Sequence, residues 1–496
     1  MSDVISQFEP VIGLEVHAQL ATHTKLFCGC STRFGASPNT QVCPVCMGMP
    51  GALPVLNGAA VELAVRAGLG LDCAVHERSQ WSRKNYFYPD LPKGYQISQY
   101  DKPIATRGRL VFSIDGVTKT VGITRIHMEE DAGKSVHDDS LAGARSYVDY
   151  NRSSVPLVEI VSEPELHSAA EAAEYMRVLR QLLRHLGVCD GNMEAGSLRC
   201  DANVSLRPRG ATKLGTRAEL KNINSFRFVE QAITYEIHRQ AELLAAGGVV
   251  IQETRLWDSQ TQETRSMRGK EEAHDYRYFP DPDLPDLVLA PGFVDEVRAR
   301  LPELPQAKLA RYVRELGLSE YDAKILSDEP SVARFFEAGL TRPHNPMARH
   351  PKDGGADSPN AKAVANWVIN EVLRELRGRE VTDLAFGGEA IGELVALIDD
   401  QTISGKIAKD VFAELVKSGG SPKAIVKAKG LEQVTDTGAI EALVDEVLRA
   451  HPDNVTTYKS GKTNVIGFLV GQVMKRSQGK ANPALVNELL RKKLDG

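Results

Sequence analysis

Four stretches of the sequence place a carboxylate among basic, imidazole or amide side chains at every second residue. Side chains alternate between the two faces of a β-strand, so the members of each set would lie together on one face. The opposite faces carry apolar residues, such as Val16 in the first stretch and Met128 in the second. The polar sets are Glu15, His17 and Gln19; Arg125, His127, Glu129 and Asp131; Arg199, Asp201, Asn203 and Ser205; and Arg217, Glu219 and Lys221.

Several carboxylates on one face repel each other and tend to hold protons or a cation. Oxygen ligands with a minority of nitrogen suit a hard ion such as Mg²⁺, which usually brings phosphate oxygens with it. Interleaved Arg and Lys side chains would supply positive charge for those phosphates. One such strand alone would be typical of a solvated sheet face. Four together predict a metal–nucleotide site on an antiparallel sheet, with Glu159 as a further acidic contributor.

Four of the seven cysteines are clustered in a short stretch rich in Gly and Pro. Cys28 and Cys30 flank Gly29, and Cys43 and Cys46 flank Pro44 and Val45. This spacing fits a tetrahedral zinc site with four thiolate ligands, which leaves no open position and would be structural. The alternative is four buried thiols without a metal. The isolated Cys73, Cys189 and Cys200 are typical of core residues.

Two segments rich in aromatic residues are predicted as loops that could lie over the site. Residues 84–100 contain four tyrosines and two prolines, which argue against a helix. Residues 252–285 interleave Arg, Lys and Tyr in a way suited to phosphates and bases. Packing aromatics in the first and a solvated linker in the second are the alternatives. Between them, Asp115-Gly116 predicts a hairpin turn within 107–120.

Helical spacing of apolar residues separates the chain into regions. Amphipathic helices are expected at 57–71, 169–186 and 226–245, and strand signals stop after Pro291. Residues 343–360, rich in Pro, Gly, Asp and His, are predicted as a linker. From Val455 to the end there are eight Lys or Arg against two acids, which indicates a basic surface or a solvated helix face. Further helices are predicted at 361–376, 391–398, 404–417, 439–449, 464–475 and 483–493.

The composition is that of an ordinary globular protein with two to four domains. The chain has 496 residues, 25% charged and 42% hydrophobic, and its net charge of −5 argues against a protein that coats nucleic acid all over. Residues 1–10 lack the apolar run of a signal peptide, and no apolar run approaches the roughly 20 residues of a membrane span. We expect a soluble, cytoplasmic protein. The sequence contains none of the common phosphate-loop, dinucleotide-binding or nucleophile-elbow motifs.

Seven motifs together resemble the GatB family, the B subunits of the glutamyl/aspartyl-tRNA amidotransferases. The resemblance covers nearly the whole chain. The motifs are VIGLEVH from Val11, KNYFYPD from Lys84, RIHMEEDAGK from Arg125, LVEIVSEP from Leu157, LRCDANVS from Leu198, ELKNINS from Glu219 and DYRYFP from Asp275.

The resemblance implies an α+β fold in three parts. Residues 1–290 would form a cradle domain around a glutamine-synthetase-like, mostly antiparallel sheet, with a zinc knuckle at 28–46. Residues 291–400 would form an all-α domain that includes the linker 343–360. Residues 401–496 would form a YqeY-like helical tail that binds tRNA. The zinc knuckle is found in some members of the family and is missing in others.

The resemblance also implies the reaction of a carbon–nitrogen ligase. ATP phosphorylates the side-chain carboxylate of Glu misacylated on tRNA(Gln), or of Asp on tRNA(Asn). Ammonia from the glutaminase subunit, GatA, then displaces the phosphate, and GatC completes the heterotrimer. ATP and Mg²⁺ are the implied cofactors, with structural Zn²⁺ in the cysteine loop. Two rival interpretations are the archaeal GatE subunit, which should carry an inserted domain, and a non-catalytic zinc-containing RNA-binding scaffold.

Site residues follow from the motifs and the polar face together. We predict that the catalytic residues are Glu15, His17, Glu130, Asp201, Glu219 and Lys221. Mg²⁺ would be held by Glu15, His17, Glu219 and either Glu129 or Glu130. Strand alternation favours Glu129, whereas the family pattern favours Glu130 if the turn at Ala132-Gly133 rotates the end of the strand. The nucleotide would contact Lys84, Tyr88, Arg125, Lys134, Arg199 and Arg217, and Zn²⁺ would be bound by Cys28, Cys30, Cys43 and Cys46.

Overall fold

The computed structural model describes residues 2–138, 145–268, 276–340, 360–433, 436–477 and 480–495. The chain divides into two compact units, Met1–Pro305 and Gln306–Gly496. The first unit contains all of the described strands, and the second is helical. The predicted α+β class, with a sheet followed by helices, is confirmed. Within the described residues, every helix is too short or too polar to cross a membrane.

Most strands of the first unit join one twelve-stranded sheet, in which β1 lies between β10 and β11. Its pairs are antiparallel except for β12 and β13, which run parallel. The strands are β1 (Phe8–Gln19), β2 (Ala74–Val75), β3 (Arg78–Ser79), β4 (Ser82–Asn85), β5 (Tyr95–Ser98), β6 (Ala105–Ile114), β7 (Val117–Glu130), β8 (Lys134–Asp138), β9 (Arg145–Asp149), β10 (Pro156–Ser162), β11 (Leu198–Pro208), β12 (Ala218–Lys221), β13 (Thr254–Asp258), β14 (Glu263–Arg268), β15 (Phe279–Pro280) and β16 (Leu287–Val288).

The helices of the first unit connect and cover the sheet, and those of the second unit form its whole architecture. They are α1 (Ser2–Ile5), α2 (Gly58–Gly70), α3 (Ala169–His185), α4 (Phe226–Ala245), α5 (Phe293–Ala299), α6 (Pro305–Leu316), α7 (Glu320–Asp328), α8 (Pro330–Gly339), α9 (Ala361–Trp367), α10 (Leu373–Leu376), α11 (Gly388–Asp399), α12 (Gly405–Ser418), α13 (Pro422–Lys429), α14 (Thr437–Ala450), α15 (Pro452–Lys459), α16 (Ile466–Arg476) and α17 (Pro483–Asp495). Between α9 and α10 the chain continues as a π-helical turn, Val368–Val372.

The apolar face of the sheet is buried under α2, α3 and α4. Leu14 and Val16 of β1 belong to the same core as Met176 and Leu183 of α3. Because alternate residues of β1 face this core, the polar set of the same strand must face the other way. Burial of the apolar face therefore determines which side of the sheet carries the charged residues.

Local sequence signals account for several element boundaries. Asn57 and Ser168 cap the N-termini of α2 and α3 through their side chains. Asp115 and Gly116 have positive φ angles of 50° and 76° and connect β6 to β7 in a two-residue turn, as predicted. The helices predicted at 57–71, 169–186 and 226–245 are confirmed.

Two predicted loops were wrong in part, because strand pairing recruits their ends into the sheet. Segment 84–100 includes β5 and the end of β4, which pair with each other. Segment 252–285 includes the hairpin of β13 and β14. These hairpins are joined to the sheet by partners far away in sequence, since β4 pairs with β15, β5 with β7 and β13 with β12. Local composition alone therefore did not reveal these strands. Apart from Asn360, the predicted linker 343–360 lies outside the described residues.

The helical unit contains two separate apolar cores. One includes residues from Tyr312 to Val426, and the other residues from Ile440 to Leu494. The first core continues past the expected division at 400/401, because α12 and α13 pack into it. That division stays a prediction, and core packing favours placing it after α13. Helices α13 and α15 had no expected counterpart.

Glycines permit close packing of α8 against α11. A Cβ atom on Gly392 would lie 2.2 Å from the Gly339 carbonyl oxygen. A Cβ atom on Gly388 would lie 1.7 Å from the Phe335 carbonyl oxygen. Both neighbours are backbone atoms of a helix, so neither can move without separating the two helices.

We predict that Gly392→Ala destabilises the helical unit. The forced separation should lower the free energy of unfolding by about 1–3 kcal/mol despite the better helix propensity of Ala. Gly471→Ala in α16 is the matched control, because a Cβ atom there meets nothing within 4 Å. That change should stabilise by up to about 1 kcal/mol. Urea unfolding of the full-length variants checks this, and shifts of the same sign would contradict the packing argument.

Candidate functional site

Cross-strand pairing aligns the predicted polar residues in rows over the sheet. His17 of β1 lies opposite Glu159 of β10 on one side and Arg199 of β11 on the other. Glu159 in turn lies opposite His127 of β7. Glu15 lies opposite Asp201, and Asn203 lies opposite Glu219 of β12. The four stretches singled out in the sequence thus share one polar face, and β10 contributes a fifth strand between β1 and β7.

The tightest group on this face consists of His17, Glu129 and Glu159. One ligand atom from each lies within 4.8 Å of the others. The Nε2 atom of His17 is 3.2 Å from Oε2 of Glu159, and Nε2 of His127 is 3.1 Å from Oε1 of Glu129. Two carboxylates and one imidazole match the oxygen-rich ligand set of a hard divalent ion.

The charges around this group keep both carboxylates ionised. Burial opposes ionisation of Glu159, but the imidazoles of His127 and His17 hold its pKa well below the usual value. For Glu129, burial is outweighed mainly by the ammonium of Lys84, which lowers the pKa of the carboxyl. Ionised carboxylates in a buried position are what a metal ion requires as ligands.

A second group lies beside the first, around Glu15 and Lys221. Nδ2 of Asn203 donates to Oε1 of Glu15 at 2.9 Å. Nζ of Lys221 lies 2.6 Å from Oδ2 of Asp201 and 3.1 Å from Oε1 of Glu219. Burial, followed by repulsion from Glu159, raises the pKa of Glu15 above its usual value. Lys221 therefore offsets part of the negative charge of Asp201 and Glu219. Glu15, whose pKa is raised, is the carboxylate whose ionisation a further cation would favour most.

Glu130 does not join either group. Its carboxylate is bound by Nζ of Lys93, accepts from Oγ of Ser154 at 2.5 Å, and accepts from the backbone N–H of Ile97 at 3.1 Å. The expected rotation of the strand end is not seen, because the next residue, Asp131, is back on the polar face. There it accepts from Gln19 at 2.7 Å and from Arg199 at 3.0 Å. Alternation therefore continues to the end of β7, and this geometry favours Glu129 over Glu130 as a metal ligand.

The predicted nucleotide-binding residues differ in their distance from the His17–Glu129–Glu159 group. Arg125 lies 3.7 Å from Glu159, and Arg199 is paired with Asp131. The carboxylates of Glu129 and Glu159 outweigh burial and raise the pKa of Lys84, which therefore stays charged beside them. Tyr88, Lys134 and Arg217 are exposed. Among the described residues, none of the three has a hydrogen bond or ion pair to the His17–Glu129–Glu159 group.

An aromatic wall borders the site next to Arg125 and Lys84. The rings of Tyr100 and Tyr278 are stacked at 4.9 Å, and the Arg125 guanidinium lies 4.6 Å from the centre of the Tyr100 ring. Nζ of Lys84 lies 5.2 Å from the centre of the Tyr276 ring. The motif segments 84–100 and 276–280 thus meet at the site, as the loop prediction anticipated for their tyrosines.

Sequence reasoning missed Glu159 as a member of this group and His127 as the partner of its two carboxylates. Both were noted on polar faces, but neither was assigned to the metal. A stronger signal was available for Glu159, since it is a single acid within the otherwise apolar run 157–161. A charged residue in the middle of a buried strand needs buried partners, and such partners indicate a site.

The four clustered cysteines meet as the spacing predicted. Their sulfur atoms all lie within 4.8 Å of one another. The backbone N–H of Cys43 donates to Sγ of Cys46 at 3.1 Å. The hydrogen bond from the Cys28 thiol lowers the pKa of Cys46 to about 4. The geometry therefore fits a four-thiolate zinc site.

The cysteine loop is tied to the segment that follows β9. The backbone N–H of Tyr150 donates to Asn39 at 2.8 Å, and the N–H of Gln41 donates to Asn151 at 2.8 Å. The same segment reaches the end of β7, where Arg152 donates to the carbonyl of Ala132 at 2.9 Å. The segment thus connects the cysteines to the strand that carries Glu129.

Comparisons with known proteins identify the family of the chain. A family model described as the GatB/GatE catalytic domain matches residues 10–295, and one described as a GatB domain matches residues 355–494. A relative from Geobacter sp. strain M21 is 56% identical over 99% of this chain and all of its own length. Relatives from Geobacter sulfurreducens and Persephonella marina are 57% and 54% identical over 99% and 98% of this chain, and over all of their own length. Each of the three is named as the B subunit of an aspartyl/glutamyl-tRNA(Asn/Gln) amidotransferase.

We predict opposite phenotypes for the two adjacent glutamates. Calorimetric titration with Mn²⁺, as a substitute for Mg²⁺, measures metal affinity. Glu129→Gln should weaken Mn²⁺ binding by more than about 10–100-fold, which is the usual effect of losing a residue that only supports a ligand. Glu130→Gln should leave Mn²⁺ affinity near normal. It should lower the free energy of unfolding by about 3–5 kcal/mol, because the buried ammonium of Lys93 loses its counter-charge. If Glu130→Gln has native stability but no longer binds Mn²⁺, then Glu130 is the metal ligand and the assignment to Glu129 is wrong.

Proposed function

Because this chain belongs to the GatB family of tRNA amidotransferase B subunits, we propose that it activates the side-chain carboxylate of a misacylated tRNA. The substrate is Glu on tRNA(Gln), Asp on tRNA(Asn), or both. ATP phosphorylates the carboxylate, and ammonia then displaces the phosphate to give the amide. The ammonia comes from the glutaminase subunit, GatA, in a heterotrimer with GatC. The observation that carries this proposal is the His17–Glu129–Glu159 group, in which both carboxylates are buried and which is bordered by Arg and Lys.

The chemistry explains why such a face is needed. A carboxylate is a poor electrophile, and phosphorylation gives it a leaving group that ammonia can displace. Mg²⁺, when bound, neutralises charge on the transferring phosphoryl group. His17, Glu129 and Glu159 are the residues that would hold it. We assign the phosphate contacts to Lys84, Arg125 and Arg199, whose positive charges border these ligands.

The second group is assigned to the same reaction. Lys221 holds Asp201 and Glu219 in place through its two ion pairs. Glu15 has a raised pKa, so it gains most from a cation that replaces its proton. We therefore keep Glu15, Asp201, Glu219 and Lys221 in the metal and phosphate site. Tyr88, Lys134 and Arg217 remain proposed contacts of the nucleotide, farther from the metal ligands.

The cysteine loop is assigned a structural role. Four sulfur atoms without an open position suit Zn²⁺, and no substrate group could reach the metal without displacing a ligand. The loop would act through its hydrogen bonds to segment 149–155, which borders the end of β7.

The helical tail is proposed to bind tRNA, although its basic charge is partly countered. Arg476 pairs with Glu446, and Lys493 pairs with Glu441 and Asp445. Among the described residues from Val455 to Asp495, the exposed basic residues without an ion pair are Lys459, Lys462, Lys475, Arg491 and Lys492. These five are the candidates for phosphate contacts.

We predict that Glu15→Ala, His17→Ala and Glu219→Ala each abolish amidation while the chain stays folded. Losing one such contact should reduce the rate on the order of 10²-fold or more. The chain is purified with its A and C partners, and ATP- and glutamine-dependent amidation of each misacylated tRNA is measured. Glu296→Ala, an exposed carboxylate on α5, is the control. A near-normal rate with all three site residues replaced would leave only the RNA-binding scaffold interpretation.

We predict that adjacent lysines of α17 differ in their effect on tRNA binding. Lys492→Ala should reduce the slope of log affinity against log salt by about 0.7–0.9, the value for one lost phosphate contact. Lys493→Ala should change it less, because Glu441 and Asp445 already neutralise that ammonium. Filter binding at several salt concentrations measures both, and the glutaminase activity of GatA should be unaffected. Equal slopes for native chain and Lys492→Ala would show that this lysine faces solvent only.

A further inference from the structure

The side chain of Lys25 is completely buried beside the four cysteines. Its relative exposure is 0%, which is rare for a lysine. Its ammonium lies 3.6 Å from Sγ of Cys46 and 3.3 Å from the carbonyl oxygen of Tyr150. Among the described residues, no carboxylate lies within ion-pair distance (4.0 Å) of this ammonium. The negative charge that balances Lys25 must therefore come from elsewhere.

Neutral thiols cannot supply that charge. A thiol sulfur is a weak acceptor, and a buried ammonium with only weak acceptors and one carbonyl would be strongly unfavourable. Thiolates can supply it, and four thiolates around one Zn²⁺ carry a net charge of −2. The ammonium of Lys25 reduces this buried charge to −1. The lysine and the metal-loaded cluster therefore each lower the free-energy cost of burying the other's charge.

We propose that Lys25 is the buried counter-ion of the metal-loaded cysteine cluster and that it raises the affinity of the four cysteines for Zn²⁺. This inference rests on the zinc site assigned under the proposed function. It adds a residue that binds no metal itself and that neither the cysteine spacing nor the family motifs single out. Lys25 acts on the thiolates through its charge and through the hydrogen bond to Cys46.

The contact with Tyr150 offers a purely structural alternative. The same ammonium donates to the Tyr150 carbonyl, and the Tyr150 hydroxyl donates to the carbonyl of Pro89 at 2.8 Å. On this alternative, Lys25 would only hold the segment after β9 in place. A neutral donor at position 25 would then be sufficient, whereas the counter-ion role requires a positive charge.

Zinc affinity in a charge series at position 25 distinguishes the two roles. Full-length native chain, Lys25→Arg, Lys25→Gln and Lys25→Met are titrated against a chromophoric chelator that competes for Zn²⁺. We expect Lys25→Gln and Lys25→Met to weaken zinc binding by about 10–100-fold, the usual cost of losing an outer-shell partner. Lys25→Arg should stay closer to the native chain. Lys102→Met, which removes an exposed lysine of the same unit, should have no effect.

Each outcome decides the proposal. Native zinc affinity in both neutral variants would overturn it and leave the zinc site intact. A Lys25→Gln chain with native affinity would assign Lys25 to the structural role even if Lys25→Met failed to fold, as judged by circular dichroism. The Cys43→Ser/Cys46→Ser double variant is the reference for zinc binding at the four cysteines. If the native chain binds no more Zn²⁺ than this variant, both this inference and the zinc assignment are overturned. The amidation assay with the Glu15, His17 and Glu219 variants does not depend on these zinc measurements. Failure of the Lys25 inference can therefore be distinguished from failure of the proposed amidation function.

Discussion

The pairing of β1 with β10 and β11 is the constraint on which the site depends. This register places His17 between Glu159 and Arg199, and Glu15 opposite Asp201. Side chains alternate along a strand, so a slip by one residue would turn these groups into the core and bring Leu14 and Val16 to the surface. Burial of those apolar residues under α3 makes such a slip costly. Hydrophobic packing on one face of the sheet thereby keeps the charged side chains in position on the other face.

The sheet also places two neighbouring carboxylates on opposite faces. Glu129 faces His127 and Lys84, and Glu130, its neighbour in sequence, is bound by Lys93 and Ser154. Both carboxylates are buried, yet they are bound by different side chains. The first carboxylate is available to a ligand, and the second is committed to the protein. The function of an acid in this strand is decided by the face on which it lies.

Much of this arrangement could be predicted from local sequence. Alternation identified the polar face and favoured Glu129, the cysteine spacing indicated a real cluster, and helical spacing located α2, α3 and α4. The family pattern favoured Glu130, because a motif records which residues occur together but not the direction of each side chain. The strands within 84–100 and the central place of Glu159 depend on partners far away in sequence. Lys25 gave no signal at all, since a single lysine between Thr24 and Leu26 is unremarkable until its burial is known.

The burial of Lys25 also constrains how the sequence can change over evolutionary time. A descendant that lost its cysteines while keeping this lysine would retain a buried ammonium without a counter-charge, at a cost of about 3–5 kcal/mol. A descendant that lost the lysine first would keep a weakened but functional metal centre. The order of substitution is therefore biased toward losing the lysine before the cysteines. Within the family, chains without the cysteine knuckle should carry a neutral residue at this position. The lysine and the four cysteines should therefore be present or absent together.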